Sequence, residues 1–266
     1  MLFGLKNAGA TYQRLVDIIF RPQLGRNMEV YVNDILVQSK EVHHHMEYLD
    51  ETLALLRKYW LKLNPGKCAF GVSGGRFLGF MVTQRGIEAN PDKINAIMDM
   101  GSPTSINEVQ RLTGRIATLS RFISKSAEKG LPFFKPLKKV KNFEWTKECQ
   151  QAFEDFKTYL ARLPLLVKPV LGDTLYLYIS ATSQAVSSML VREEDGNQTP
   201  IYYVSKVLNR AESRYPPIEK MALTLVITTR KLRPYFLSYP VGVRTNTPLK
   251  QVLGKPEASD DWSSGR

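Results

Sequence analysis

Apolar residues recur along this chain at two spacings. Between Val42 and Tyr59, Met46, Leu49, Leu53 and Leu56 follow at steps of three and four, which predicts an amphipathic helix with one buried face. The same spacing predicts a helix near 10–20, stopped by Arg21-Pro22, because proline lacks an N–H and clashes with a helix interior. A short helix after Pro91 presents Ile94, Ile97 and Met98, and a longer one presents Val109, Leu112, Ile116, Leu119 and Phe122, capped by Ser105 or Asn107. Thr146 caps a further helix carrying Cys149, Ala152, Phe153, Phe156 and Leu160, and residues 218–232 form the last. Between 130 and 142 the chain is rich in Pro and Lys, which predicts a connector.

β-rich runs fill the rest. Residues 28–32 and 35–37 flank Asn33-Asp34 and predict a hairpin with that pair as its two-residue turn, since Asn and Asp tolerate tight-turn geometry. Residues 68–72 and 77–82, broken by Ser73-Gly74-Gly75, predict a second hairpin. In the last third, strands at 175–180, 186–192 and 200–205 are followed by a helix and a strand at 241–245, a pattern that could fold as its own α/β unit. The fold class expected is α+β, and residues 259–266 have no periodicity and should fray.

Composition narrows the function. The 266 residues carry a net charge of +12 and are 43% hydrophobic, enough for a core, with a surplus of cations that favours polyanionic partners. Cys68 and Cys149 stand far apart, so a disulfide framework or a structural zinc site is not expected and a reducing compartment fits. No apolar run reaches the roughly 20 residues that span a membrane, and Met1–Leu5 does not read as a signal peptide. An intracellular protein, in a cytoplasmic particle or the nucleus and not secreted, is expected.

The most informative run is Tyr31-Val32-Asn33-Asp34, downstream of Phe3-Gly4-Leu5-Lys6-Asn7-Ala8-Gly9-Ala10-Thr11-Tyr12-Gln13. Lys62-Leu63-Asn64-Pro65, Phe77-Leu78-Gly79-Phe80, Gln110-Arg111-Leu112-Thr113-Gly114-Arg115 and Phe143-Glu144-Trp145-Thr146 follow in order. This series resembles the reverse transcriptase and ribonuclease H region of a plant gypsy-type LTR retrotransposon Pol polyprotein. The resemblance implies a partial polymerase palm at 1–88 with a Tyr-x-Asp-Asp-type hairpin and primer-grip strands, and a helical thumb and connector at 89–168. It further implies a ribonuclease H-like, connection-like domain at 169–256 and a disordered tail at 257–266. The family's upstream aspartate, the fingers and much of the palm are expected to be missing, as in a truncated fragment.

The resemblance also implies the chemistry. Two magnesium ions roughly 4 Å apart drive polymerisation and need several carboxylates. At the hairpin Asn33 stands where the family has its first aspartate, and only Asp34 remains as a catalytic and metal-ligating carboxylate. In the ribonuclease H-like segment Ser180 and Asn246 occupy two aspartate positions, and Glu219 matches the helix glutamate. Magnesium is thus a family expectation that this chain should not meet with a competent pair. Lys6, Gln13 and Tyr31 match positions near nucleotide, template and primer end, while Phe3 is read as packing. Arg111, Arg115, Arg121 and Lys125 would grip phosphates, with Lys129 and the lysines of 135–141 behind them. The partners implied are an RNA template, an RNA–DNA hybrid and the rest of a Pol polyprotein. The chain is expected either to be an RNA-directed DNA polymerase fragment, inactive alone, or to be a non-catalytic basic nucleic-acid-binding remnant. His43-His44-His45 are consecutive at a helix start, should point apart, and are not expected to bind metal.

Overall fold

The computed structural model describes residues 6–137 and 143–249, with only the backbone at 135–137. Phe3, the lysines of 135–141 and the expected tail therefore lie outside what is described. The chain divides into two compact units, Met1–Gln84 and Arg85–Arg266.

In the first unit, helix α1 (Ala8–Ile19) leads into strands β1 (Met28–Tyr31) and β2 (Asp34–Val37), then helix α2 (Val42–Lys58) and strands β3 (Gly74–Phe77) and β4 (Phe80–Thr83). Its core is Val16, Ile19, Phe20, Met28 and Leu56, with Tyr12, Val30, Ile35 and Leu53 packed around them. The helical spacing seen in the sequence buries Leu53 and Leu56 of α2 with a stripe of α1 on the β1–β2 hairpin, whereas Met46, expected on the same face, is 62% exposed. Two buried polar side chains pair across this core, Gln23 Nε2 donating to Thr52 Oγ1 at 3.1 Å.

Both hairpin turns differ from expectation. Tyr31 pairs with Asp34, so the two turn residues are Val32 and Asn33, and Asp34 begins β2. The second hairpin does not use 68–72, which forms no strand; β3 begins at Gly74 and the turn is Leu78-Gly79. Leu78 (φ 52°) and Gly79 (φ 74°) both take positive φ, which matches the twist of a two-residue hairpin loop. Gly74 reads as a breaker in sequence but belongs to the strand. A Cβ there would lie 2.9 Å from Thr83 Cγ2, so close pairing requires glycine.

The second unit opens with strand β5 (Gly86–Ala89), which bridges to Leu166 through Ile87. At Gly86 a Cβ would fall 2.1 Å from the Leu166 carbonyl oxygen, so this approach is open to glycine alone. Helices α3 (Pro91–Met98), α4 (Ile106–Leu119), α5 (Ser126–Leu137) and α6 (Lys147–Leu160) follow. Asn90, Ser105 and Thr146 each accept an N–H of the first turn, which stops α3, α4 and α6 from fraying. Helix α5 runs through Gly130 and Pro132 to Leu137, where the composition predicts a connector. The reason is tertiary: Phe133 is fully buried and stacks on Trp145 at 6.0 Å, with Phe153 and Phe156 edge-on. Packing of one aromatic residue overrides the local preference of Gly and Pro.

Strands β6 (Leu175–Ala181), β7 (Ala185–Glu194), β8 (Asn197–Val207) and β9 (Val241–Arg244) form a sheet of order β8-β7-β6-β9. β6 is antiparallel to β7 and parallel to β9, and helix α7 (Pro217–Lys231) makes the crossover before the short α8 (Arg233–Ser238). Alternation along β6 puts Leu175, Leu177 and Ile179 into a core with Leu190, Ile201, Ala222 and Leu232. Helix α5 packs against β7 and β8.

Candidate nucleic-acid interface and two depleted carboxylate centres

The hairpin tip is built from below by Gln13 on α1. Val32 sits at φ 48°, a left-handed conformation that a β-branched residue rarely adopts. Gln13 holds it there: its Oε1 accepts the Val32 N–H at 2.6 Å, while its Nε2 donates to Asp17 Oδ1 at 2.8 Å and to the Val30 carbonyl at 3.4 Å. Gln13 therefore positions the turn. Tyr31 is 57% exposed beside it, and Lys6, Asn33 and Asp34 are exposed. The carboxylate of Asp34 accepts the Leu78 N–H of the second hairpin turn at 3.3 Å.

These donors do not fit a pair of magnesium ions. The tip offers one carboxylate, already hydrogen-bonded to backbone, and a neutral amide next to it. Among the described residues, the group of three metal-ligating side chains lies elsewhere, at Glu41, His43 and His44, whose donor atoms fall within 4.8 Å of one another. The expectation that the histidines point apart is corrected here. Glu41 precedes α2 in extended conformation, and the rings of His43 and His44 in the first turn both swing to it, their centroids 4.0 Å apart. The cluster is largely solvent-exposed and sits at a helix N-terminus, where the macrodipole opposes a cation.

The sheet of the second unit sets the other centre. Tyr178 pairs with Arg244 in the parallel register of β6 and β9. The pairing ends there; Ser180, near the end of β6, and Asn246, two residues past β9, lie toward the carboxyl ends of adjacent parallel strands, where open α/β sheets hold ligands. The topology thus brings these two positions together, but with a hydroxyl and an amide. Glu219 is exposed in the first turn of α7. At about 100° per residue along α7 it falls opposite the buried Thr228, on the exposed face of Arg230. The first-turn residues that face the sheet are Met221, packed on the core of Leu175 and Leu177, and the buried Lys220, whose Nζ donates to the Ser183 carbonyl at 3.4 Å. Sequence matching alone missed these two, although their i, i+4 spacing to Thr224, Leu225 and Thr228 marks the inward face.

On the face of β6 opposite Leu175 and Leu177, which Ser180 shares by alternation, Arg244 lies over the Tyr176 ring at 3.9 Å and donates to the Tyr178 hydroxyl at 3.1 Å. Gln198 donates to the same hydroxyl at 2.7 Å. The two bonds, from Gln198 first and Arg244 second, hold the Tyr178 phenol below its ordinary range.

The basic residues of α4 and its sequel separate by environment. Arg111 is exposed and, with Lys93, Gly114 and Thr118, lines a groove of about 450 Å³ between α3 and α4. Arg115 lines it too but donates to the Ala96 carbonyl and so ties α4 to α3. Arg121 turns inward, its guanidinium 4.5 Å from the Tyr202 ring on β8. Lys125 is exposed at φ 53°, just before α5. Lys129 lies 4.4 Å from the Tyr159 ring and donates to the Ser124 carbonyl at 2.7 Å, and burial lowers its pKa.

Residues 1–82 match the family model of reverse transcriptase (RNA-dependent DNA polymerase), and 145–243 match the RNase H-like domain found in reverse transcriptase. Among curated proteins, the chain is 33% identical to the retrovirus-related Pol polyprotein from transposon opus of Drosophila melanogaster, over 95% of this chain and 26% of that protein. It is 34% identical to the corresponding polyprotein from transposon 297 of the same organism, over 89% of this chain and 22% of that one. The transposon Tf2-3 polyprotein of Schizosaccharomyces pombe is 25% identical over 96% of this chain and 19% of its own length. The chain thus spans about a quarter or less of the curated relatives it matches. Among solved structures, the foamy viral protease-reverse transcriptase in complex with dsDNA superposes with a TM-score of 0.83 at 22% identity, over 99% of this chain and 56% of that one. The same protein in complex with RNA/DNA hybrid gives 0.83 over 97% of this chain and 35% of that one. Hairpin, helices, RNase H-like sheet and matched families agree: the chain carries a reverse transcriptase segment and an RNase H-like domain of a retrotransposon Pol polyprotein.

Proposed function

We propose that this chain is the part of a gypsy-type, plant-derived RNA-directed DNA polymerase that grips RNA template and RNA–DNA hybrid, and that by itself it neither extends primers nor cleaves RNA. One observation carries the reading: both centres lack acids. Asn33 and a hydrogen-bonded Asp34 form the tip, and Ser180 and Asn246 leave Glu219 as the one carboxylate at the three matched positions. Magnesium is the metal that the family resemblance implies, and Asp34 and Glu219 are too few carboxylates to hold a pair of ions. The palm, thumb and connection-like boundaries at 88 and 168 belong to the same reading, as do an intracellular particle or nuclear location and the rest of a Pol polyprotein as partner.

The test is primer extension on RNA and hydrolysis of a labelled hybrid, both with Mg²⁺. Neither product is expected. Incorporation that disappears in Asp34→Ala would refute the reading at the first centre, and hybrid cleavage that disappears in Glu219→Gln would refute it at the second.

A second reading, a non-catalytic nucleic-acid-binding module, is favoured by the exposed face of α4. Gln110, Arg111, Gly114 and Thr118 share that face without a bulky side chain at Gly114, so a sugar–phosphate backbone can approach the helix. Hybrid affinity should fall steeply with salt, and Arg111→Glu with Lys125→Glu should flatten that dependence by roughly 0.9 per lost phosphate contact. An unchanged slope would remove this reading while leaving the catalytic question where it stands.

A further inference from the structure

We infer that the end of α2 and the run after it, Arg57 to Lys67, form a second nucleic-acid surface, one that stacks the bases of a single strand on Trp60. It uses none of the residues assigned above to template, primer or hybrid. Three observations carry it.

The first is a misplaced residue. Helix α2 ends in a Schellman arrangement: the Leu61 N–H donates to the Leu56 carbonyl at 2.9 Å and the Trp60 N–H to the Arg57 carbonyl at 3.2 Å. The residue at that left-handed position is ordinarily Gly or Asn, because a Cβ clashes there. Here it is Trp60, at φ 56°. The second is that this strain gains nothing inside the unit. Trp60 is 89% exposed, and Tyr59 before it is 44% exposed. An indole presented to solvent on a strained turn fits a stacking platform for something from outside.

The third is charge. From Thr52 through Ile87 the chain has no Asp or Glu, while Arg57, Lys58, Lys62 and Lys67, which flank the two aromatic residues in sequence, are all exposed. Lys58 Nζ lies 5.6 Å from the Tyr59 ring, so the cation and the aromatic face are presented together. An apolar protein partner would be served by the ring but would leave these cations without counter-charge. A flexible strand of bases and phosphates satisfies both, since every base has a face to stack and every linkage a charge. A duplex hides its base faces, so single-stranded nucleic acid is the occupant.

The experiment uses the full chain and fluorescein-labelled 12-nucleotide oligo-U and oligo-dT, read by anisotropy at low and moderate salt, beside an RNA–DNA hybrid of equal length. Trp60→Gly and Trp60→Asn should weaken both single strands by roughly five- to hundredfold, the range of one base–aromatic stack. Both should leave hybrid affinity unchanged. Because either residue suits the left-handed turn, the melting temperature should stay level or rise, which separates lost binding from lost folding. Trp60→Phe should retain most of the single-strand affinity. Lys62→Glu with Lys67→Glu should lower the salt dependence by roughly 0.7 per lysine. Undetectable oligo-U binding at low salt would overturn the inference. So would unchanged affinity in Trp60→Gly and Trp60→Asn, an equal loss on the hybrid, a fall in melting temperature in both variants, or self-association that vanishes with the indole. Failure of the α4 charge reversals to affect the hybrid would count against the grip proposed there and leave this surface standing.

Discussion

Gln13 shows what a single side chain does at the tip. Its amide satisfies the Val32 N–H and reaches the Val30 carbonyl, so the strained turn is fixed from α1 and not by its own sequence. Gln13→Ala should leave the N–H to solvent and let the turn relax. We expect a loss of about 1–2 kcal/mol in chemical denaturation, with faster amide exchange at Val32 and little change on β3 and β4. Uniform acceleration across both hairpins would mean that Gln13 serves the core and not the turn. Glu108 acts locally at the start of α4. Its carboxylate accepts the Thr104 N–H at 2.6 Å and the Thr104 hydroxyl at 3.0 Å, and these bonds, the backbone one first, hold its pKa below the ordinary glutamate value. A carboxylate with a depressed folded pKa stabilises above its unfolded pKa of about 4.3, and the contribution is lost as pH falls through the lower folded value. The melting-temperature gap between the parent chain and Glu108→Ala should therefore be full at neutral pH and close only in strong acid. A gap that persists at the lowest pH would assign it to packing.

At the scale of elements, α4 carries a residue that its own fold does not need. Gly114 is exposed in mid-helix, and a Cβ there would meet nothing within 4 Å. Gly114→Ala should raise stability by about 0.5–1 kcal/mol. Gly114→Leu should also fold, yet weaken hybrid binding by about tenfold, or roughly 1.4 kcal/mol. Equal hybrid affinity in all three would show that nothing approaches α4 there. Helices of this kind were legible from sequence because the spacing of Val109, Leu112, Ile116 and Leu119 and the caps Ser105 and Thr146 are local signals. The turns were not. The hairpin loop fell on Val32-Asn33 because Tyr31 and Asp34 pair, and α5 continued through Gly130 and Pro132 because Phe133 is buried among rings up to 23 residues away in sequence. Such contacts leave no trace in a window of neighbours. For the same reason the motif located Glu219 in the first turn of α7 but could not say which face it takes; the burial of Lys220, Thr224 and Thr228 does.

For the molecule as a whole, the packing of the RNase H-like sheet shows what it contributes. Arg121 stacks on Tyr202, Lys231 lies 5.8 Å from the same ring, and α5 rests on β7 and β8, so the sheet is the floor on which the helices of the second unit are set. A catalytic sheet with three carboxylates at one end repels itself without metal; this one carries a hydroxyl at Ser180 and an amide at Asn246, which add no such repulsion. The proposition can be tested by putting the charges back. Ser180→Asp with Asn246→Asp places two like charges at the ends of neighbouring parallel strands, and we expect a loss of about 1 kcal/mol in chelator. Adding Met221→Glu from the inward face of α7 should deepen that loss. Millimolar Mn²⁺ should then restore the melting temperature of the variants at constant ionic strength, while leaving the parent chain unmoved. If Glu219 instead supplied the helix carboxylate, the double variant alone would bind the metal fully and Glu219→Gln would abolish the rescue. A rescue that survives Glu219→Gln would show that Glu219 stands outside that centre.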